Sequence, residues 1–284
     1  MNDLYFAMLV VGFVSLGALA LALFVGNRVS RKAATALCVL VVGLIVAHVL
    51  WVSDRPWVAR ALPVSGVIVL GNGLPPLVAM LAGLAWRLIP GNVARRAVLL
   101  GALLVACGHR SLAPVLAAAG PPPQTRDRWR NDVCLQTSPA TCSAAAAATL
   151  LRAHGIATTE AEMARLCLTR EGGTAAHGLY RGLKLKTAGT AWDVEVFDTD
   201  AAGLRASAPA AAILTVRLDP VPGIDPRYEQ LWGWTPGVQH TVVFFRFTPD
   251  GKVEMGDPSV GREHWSAKDL GVLWHGEGMR LVRR

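Results

Sequence analysis

Acidic side chains are nearly absent from residues 1–120, which hold only Asp3 and Asp54 against nine Lys or Arg. Residues 121–284 hold eighteen acidic and nineteen basic side chains, so the net charge of +8 divides into +7 and +1. A nucleic-acid-binding domain needs a basic face on a soluble domain. Because the second part of the chain has almost no basic excess, we expect no nucleic-acid partner.

Two kinds of binding motif are also missing. The sequence has no G-x-x-x-x-G-K-[ST] segment, which excludes a P-loop nucleotide site. No spacing of Cys and His is typical of a structural zinc site. We therefore expect neither a metal ion nor another cofactor.

The first part of the chain consists instead of long apolar runs. About 20 apolar residues suffice to cross a bilayer as a helix. Four runs are of that order, at residues 4–25, 34–52, 62–86 and 97–119. The third contains Gly71-Asn72-Gly73, which predicts a kink. The fourth contains His109 and Arg110, which we interpret as an anchor at the membrane interface.

Loop charges predict the orientation of these helices. The first run follows Asp3 and is longer than the apolar region of a signal peptide, so we interpret it as a retained helix. Basic residues mark cytoplasmic loops. They cluster in the first and third loops, at Arg28, Arg31, Lys32, Arg87, Arg95 and Arg96. If the fourth run spans, the C-terminal domain lies on the outer side of a bacterial inner membrane.

The composition changes near Gly120, and we divide the chain there. Residues 1–119 are interpreted as a transmembrane region, 120–129 as a Pro-rich linker and 130–284 as a globular domain. Thr159 and Glu162 form a predicted capping box. Helices are predicted at 142–154, 159–168 and 174–186, and strands at 192–197, 212–218, 241–247, 252–255 and 279–282. Helices followed by an antiparallel sheet indicate an α+β fold.

Cys142 and Gln136 have the placement that a cysteine nucleophile needs. Cys142 opens a predicted helix, where the helix dipole and free N–H groups favour a thiolate. Gln136 lies six residues upstream in the preceding loop. Its amide and the Cys142 backbone N–H could together stabilise an oxyanion. The alternatives are that Cys142 is a small core residue and that Gln136 only caps the loop.

His240 and Asp257 are the candidate base and its orienting carboxylate. His240 directly precedes a strongly apolar strand, and a hairpin turning at Pro249-Asp250-Gly251 brings Asp257 roughly opposite. A carboxylate there can accept a hydrogen bond from one imidazole nitrogen and leave the other facing Cys142. A structural histidine and an ordinary Asp-Pro turn are the alternatives.

These residues carry a resemblance to a known family. Cys134-Leu-Gln136-Thr-Ser-Pro-Ala-Thr-Cys142-Ser143, His240-Thr-Val-Val-Phe and Gly256-Asp257-Pro-Ser-Val-Gly261 resemble the bacteriocin-processing, double-glycine-leader peptidases of the papain-like superfamily. The resemblance covers residues 130–282. It implies a papain-like fold, a helical layer packed on an antiparallel sheet, and peptide-bond cleavage with Cys142 as nucleophile, His240 as base, Asp257 as orienter and Gln136 in the oxyanion hole.

The chain departs from that family in two ways. Family members commonly have Gly after the nucleophile, where this chain has Ser143. Well-known members are fused to an ATP-driven exporter, whereas this sequence has no P-loop, so any exporter would be a separate chain. The double-glycine specificity is therefore not carried over.

The leading hypothesis is a membrane-tethered cysteine peptidase that acts on a peptide or protein substrate, with the lipid bilayer as its other partner. Two alternatives stay open. One is an amidase or transpeptidase acting on cell-wall peptide, and the other is a non-catalytic peptide-binding module of an export or processing system.

Two further features have more than one interpretation. Cys134 and Cys167 could form a disulfide on the outer side of the membrane, or they could be two buried thiols. The aromatic segment 227–236 could wall the substrate groove, enter the lipid interface or pack on the core.

Overall fold

The computed structural model describes residues 1–207 and 211–284, leaving out the side chains of residues 106, 107 and 109–111. Backbone contacts divide the chain into two compact units, Met1–Gly120 and Pro121–Arg284. The first consists of helices, and the second combines helices with a sheet.

The first unit has six helices in its described backbone. They are α1 (Asn2–Arg28), α2 (Arg31–Trp51), α3 (Trp57–Ala61), α4 (Val67–Leu70), α5 (Leu74–Ala85) and α6 (Val93–Ala119). Within the described residues, three stretches are long and apolar enough to cross a membrane: Asn2–Arg28, Arg31–Trp51 and Val67–Ala85. These three fit a membrane anchor.

The prediction of about four spans is corrected to three. The fourth predicted run does form helix α6, but its first turn contains the basic pair Arg95 and Arg96, and this helix is not among the three. The side chains of His109 and Arg110, interpreted as an interfacial anchor, lie outside the described residues.

The predicted kink in the third run is present, because α4 and α5 are separated by Gly71–Gly73. His48 on α2 accepts a hydrogen bond through Nε2 from the Gly73 backbone N–H at 3.1 Å. A backbone donor freed by a helix break is costly in an apolar environment. His48, the strongly polar residue within the second run, therefore supplies the acceptor for the Gly73 N–H that the helix break leaves without a helical partner.

The helical layer of the second unit starts with α7 (Cys142–Ala153), α8 (Glu160–Leu166) and α9 (Ala176–Thr187). Short helices α10 (Ala201–Ala206), α11 (Arg227–Gln230) and α12 (Ala267–Leu273) follow. The alanine run of α7 is fully buried, since small side chains let neighbouring elements pack closely on it. Thr159 caps α8 by accepting from the Glu162 N–H at 3.1 Å. The Glu162 carboxylate accepts from Thr158 and Lys186, so only half of the predicted capping box forms.

A two-stranded ribbon and a larger sheet complete the second unit. The ribbon pairs β1 (Arg128–Arg130) with β2 (Val133–Leu135). The sheet contains β3 (Trp192–Asp198), β4 (Ala212–Arg217), β5 (Gln239–Phe247), β6 (Val253–Asp257), β7 (Gly261–Trp265) and β8 (Trp274–Arg283). Its order is β3-β8-β4-β5-β6-β7, and all five described pairings are antiparallel. The predicted α+β class is confirmed, with a helical layer and an antiparallel sheet in the second unit.

The β5–β6 hairpin brings two chain segments to the same end of the sheet. Val243 pairs with Gly256, and a register shift follows between Phe244 and Arg246. The start of β5 therefore lies beside the end of β6, and these positions are occupied by His240 and Asp257. Buried side chains of these strands pack with Trp265 of β7 and hold the hairpin in the core; they include Val242, Phe244, Val253 and Met255.

Candidate active site

Cys142 is the first residue of α7 and follows a 3-10 turn at Pro139–Thr141. The turn is held by a reciprocal capping box between Ser138 and Thr141. The first N–H groups of a helix have no partner within it, so the half-buried Cys142 thiol lies where the helix favours an anion.

The Cys142 thiol interacts with groups that favour its ionisation. Burial raises the pKa of the thiol, but the hydrogen bond and charge of His240 lower it, as do the hydroxyls of Ser143 and Thr241. The sum holds the pKa of Cys142 below its ordinary value. A cysteine is nucleophilic as its thiolate, so this site increases the nucleophilic fraction.

His240 is held by Asp257. Its Nε2 donates to Asp257 Oδ1 at 2.8 Å, which leaves Nδ1 as the ring nitrogen that can face Cys142. The Asp257 carboxylate is buried and also accepts from the backbone N–H and the hydroxyl of Ser259, at 2.7 and 2.5 Å. The carboxylate therefore fixes both the ring orientation and the tautomer of the imidazole.

The charges of His240 and Asp257 stabilise each other. Burial lowers the pKa of His240, but hydrogen bonds to Asp257 and Cys142 and the charges of both raise it to about 10. Burial raises the pKa of Asp257, yet bonding to His240 and Ser259 outweighs burial and lowers it. At neutral pH, the interactions favour an imidazolium between a carboxylate and a thiolate.

Gln136 lies in the loop between β2 and the 3-10 turn. Its backbone N–H donates to the Pro258 carbonyl at 2.8 Å, which ties the loop to the residue after Asp257. Its side chain lines the same cavity as His240 and Asp257. Oε1 is buried without a hydrogen-bond partner among the described residues, and the amide nitrogen carries two N–H donors.

Ser143 and Thr241 connect the helix of the nucleophile with the strand of the base. Their hydroxyl oxygens are 2.8 Å apart, and both side chains are buried. Ser143 Oγ is also 3.9 Å from the Cys142 sulfur. The residue that departs from the family pattern therefore forms part of the contact between the two layers.

Two cavities adjoin these residues. The first, of about 360 Å³, is lined by Gln136, His240 and Asp257 together with the loop 231–235. The second, of about 320 Å³, is lined by Cys142, Ser143 and Thr241 together with the turn 171–174. Both volumes fall in the range of sites that bind small molecules or side chains.

The aromatic segment at 227–236 lies at this site. Trp234 meets the His240 ring edge-on, with centroids 5.6 Å apart, and it also contacts Trp265 at 6.1 Å. The segment lines the first cavity, and it also packs on the core through buried Tyr228 and through Trp234. The contact between Trp234 and His240 was not predicted. The short sequence separation between the aromatic segment and the histidine could have suggested it.

Glu160 is a second residue that sequence reasoning missed. It is fully buried and accepts hydrogen bonds from the backbone N–H and the hydroxyl of Thr137, at 2.7 and 2.6 Å. Thr137 directly follows Gln136, so Glu160 holds the loop that carries it. The helix-capping pattern that starts at Thr159 does not indicate that the Glu160 side chain is buried.

The proposed disulfide is wrong for this structure, because Cys134 and Cys167 are both free and buried. Cys134 lies on β2, where its N–H donates to the hydroxyl of Thr149 on α7. The Cys167 sulfur lies instead at α9, 4.0 Å from the Leu179 carbonyl oxygen and beneath Gly182. Burial raises the pKa of both thiols to about 12, so neither is primed to react.

Comparison with known proteins finds similarity at the level of solved structures. No family model matches the chain, and no curated protein matches it. The peptidase domain of Streptococcus ComA, described as a bi-functional ABC transporter, is 18% identical with a TM-score of 0.42, covering 54% of this chain and 98% of that one. The peptidase domain of Streptococcus mutans ComA is 18% identical with a TM-score of 0.37, covering 53% and 98%.

A third similar structure is a double-glycine-motif protease from an AMS/PCAT transporter, solved in complex with the leader peptide. It is 14% identical with a TM-score of 0.40, and the match covers 58% of this chain and 98% of that chain. All three structures are of peptidase or protease domains.

Proposed function

We propose that the second unit is a cysteine peptidase that cleaves a peptide bond in a peptide or protein substrate. One observation carries this proposal: Cys142, His240 and Asp257 form a continuous chain of interacting groups, in which the pKa of the thiol is lowered and that of the imidazole is raised. A structural core cysteine needs neither a base nor an orienting carboxylate.

The first half of the reaction follows from the contacts among Cys142, His240 and Asp257. His240 takes the proton of the Cys142 thiol, and the sulfur attacks the carbonyl carbon of the scissile bond. The amide of Gln136 and the backbone N–H of Cys142 stabilise the resulting oxyanion. The C–N bond then breaks, His240 returns its proton to the leaving amine, and a thioester remains on Cys142.

Water completes the cycle. His240 removes a proton from the water molecule as it attacks the thioester carbonyl. The C–S bond breaks, the carboxylic acid product leaves and Cys142 regains a proton. Throughout, Asp257 keeps its charge and stabilises the imidazolium.

A variant pair tests this function. Cys142→Ala in the full chain should abolish cleavage of peptide reporters, whereas Cys167→Ala removes a buried thiol away from the site and should retain it. Full activity of Cys142→Ala would refute the proposal. Product analysis on linear peptides and on cell-wall fragments separates hydrolysis of a peptide from the amidase or transpeptidase alternative.

The three apolar stretches lead us to propose that this peptidase is anchored in a bacterial inner membrane. With these three stretches as the spans, the loop charges place the domain in the cytoplasm, whereas the outer position predicted from four runs would need α6 to cross the bilayer as well. A membrane-impermeant maleimide should therefore label the exposed position of an Asp250→Cys variant only after the cells are lysed. Labelling on intact cells would place the domain on the outer face.

A further inference from the structure

A carboxylate in the first cavity has no part in the mechanism above. Glu263 lies in β7 opposite Met255, on the same sheet face as Asp257. It lines the 360 Å³ cavity together with His240 and Asp257. The cavity therefore places a second acidic group beside the proposed base.

Glu263 is held in place but keeps one oxygen available. Its Oε1 accepts a hydrogen bond from the indole N–H of Trp265 at 2.6 Å. Trp265 is buried, so this bond anchors the carboxylate. Among the described residues, Oε2 has no hydrogen-bond partner and Glu263 has no salt bridge.

The surroundings of Glu263 make a negative charge costly. Burial and the charge of Asp257 raise the pKa of this carboxyl to about 7, against the lowering effects of the Trp265 hydrogen bond and of His240. The positive charge of His240 is already shared between Asp257 and Cys142. A cation entering the cavity would stabilise the Glu263 carboxylate, since an opposite charge at close range favours the ionised form.

The rest of the lining suits the stem of a long cationic side chain. About half of the wall is aromatic or apolar, with Leu231, Trp232, Trp234, Val238 and Val260 among its members. Lys and Arg bury their methylene stems against such surfaces while the charged head seeks an acceptor, and aromatic rings also attract cations.

We propose that this cavity binds a Lys or Arg side chain of the peptide substrate and that Glu263 is the specificity-determining acceptor. The inference rests on the proposed peptidase function. His240, which must protonate the leaving amine, lines this cavity, whereas Cys142, which keeps the acyl group, lines the other. The cationic residue therefore belongs to the leaving-group side of the scissile bond.

Matched peptides test this assignment on the full chain in detergent. N-acetylated fluorogenic peptides differ only in Lys or its uncharged analogue norleucine directly after the scissile bond. The wild-type protein should favour Lys by at least about tenfold in kcat/KM, mainly through KM. In Glu263→Gln this preference should disappear, so that the two peptides have equal kcat/KM values. Glu229→Gln, which removes an exposed carboxylate of α11, should keep the preference.

A binding measurement separates this proposal from the function on which it rests. Cys142→Ala cannot form a thioester, and its fluorescence-polarisation Kd for the same two peptides should still favour Lys. Loss of that preference in the Cys142→Ala/Glu263→Gln double variant supports the cavity assignment whether or not cleavage is seen. Equal Kd values for the two peptides, or a Lys preference that survives Glu263→Gln, would overturn it.

Discussion

Replacing Asp257 by Asn should uncouple His240 from Cys142 while preserving the shape of the site. The Asn oxygen can still accept from His240 Nε2, but the bond at 2.8 Å loses the charge of its acceptor. Hydrogen bonds to charged groups contribute about 1.5–3 kcal/mol against about 0.5–1.5 for neutral ones. The difference of about 1–1.5 kcal/mol, at 1.4 kcal/mol per factor of ten, predicts roughly a five- to twelvefold loss of thiolate reactivity at pH 7.

Alkylation of Cys142 by iodoacetamide measures this loss without knowledge of the substrate. Site-resolved mass spectrometry on the full chain gives the rate for Cys142 alone. Asp250→Asn is the matched control, because Asp250 is an exposed carboxylate in the turn of the same β5–β6 hairpin and pairs with Lys252. Its rate should equal that of the wild type. If Asp257→Asn reacted as fast as the wild type, the carboxylate would not be supporting the thiolate.

Three further predictions concern the same residues. His240→Ala should move the pH midpoint of Cys142 alkylation upward, because burial then acts on the thiol without the opposing imidazolium; an unchanged midpoint would show that the two do not interact. Gln136→Ala should lower kcat for peptide cleavage by about 10²–10³ and leave alkylation unchanged, and equal losses in both assays would argue against an oxyanion donor. In denatured, unreduced protein, alkylation and peptide mapping should find separate adducts on Cys134 and Cys167, whereas one cross-linked peptide would restore the disulfide.

Local signals predicted the elements that surround Cys142. The helix after the Gln136 loop starts at Cys142 itself, as predicted, whereas the strand predicted from Thr241 starts two residues earlier, at Gln239, and so includes His240. Such boundaries are readable because an alanine run and an apolar β-branched run differ in period and composition. The hairpin turn also set the approach of Asp257, since chain reversal within a few residues leaves little choice of register.

Interactions between segments that are distant in sequence could not be predicted from local sequence patterns. Strand β7 has three consecutive polar residues, Arg262–His264, a run more typical of a loop, and it is a strand because β6 offers it a partner. The inward turn of Glu160 depends on Thr137, which is 23 residues away. The free state of Cys134 and Cys167 depends on which faces of the helical layer they meet, and neither spacing nor compartment contains that information.

Ser143, where members of the resembled family commonly have Gly, has a hydrogen-bond partner in Thr241. A glycine there would leave the buried Thr241 hydroxyl without the partner that it has at 2.8 Å. A typical intramolecular hydrogen bond contributes about 0.5–1.5 kcal/mol, so serine and threonine at these two positions support each other. The two hydroxyls lie next to Cys142 and next to His240 in sequence, one on the helix and the other on the strand. Their hydrogen bond therefore sets the spacing between the helical layer and the sheet at the point where sulfur and imidazole must meet, and both hydroxyls also favour the thiolate.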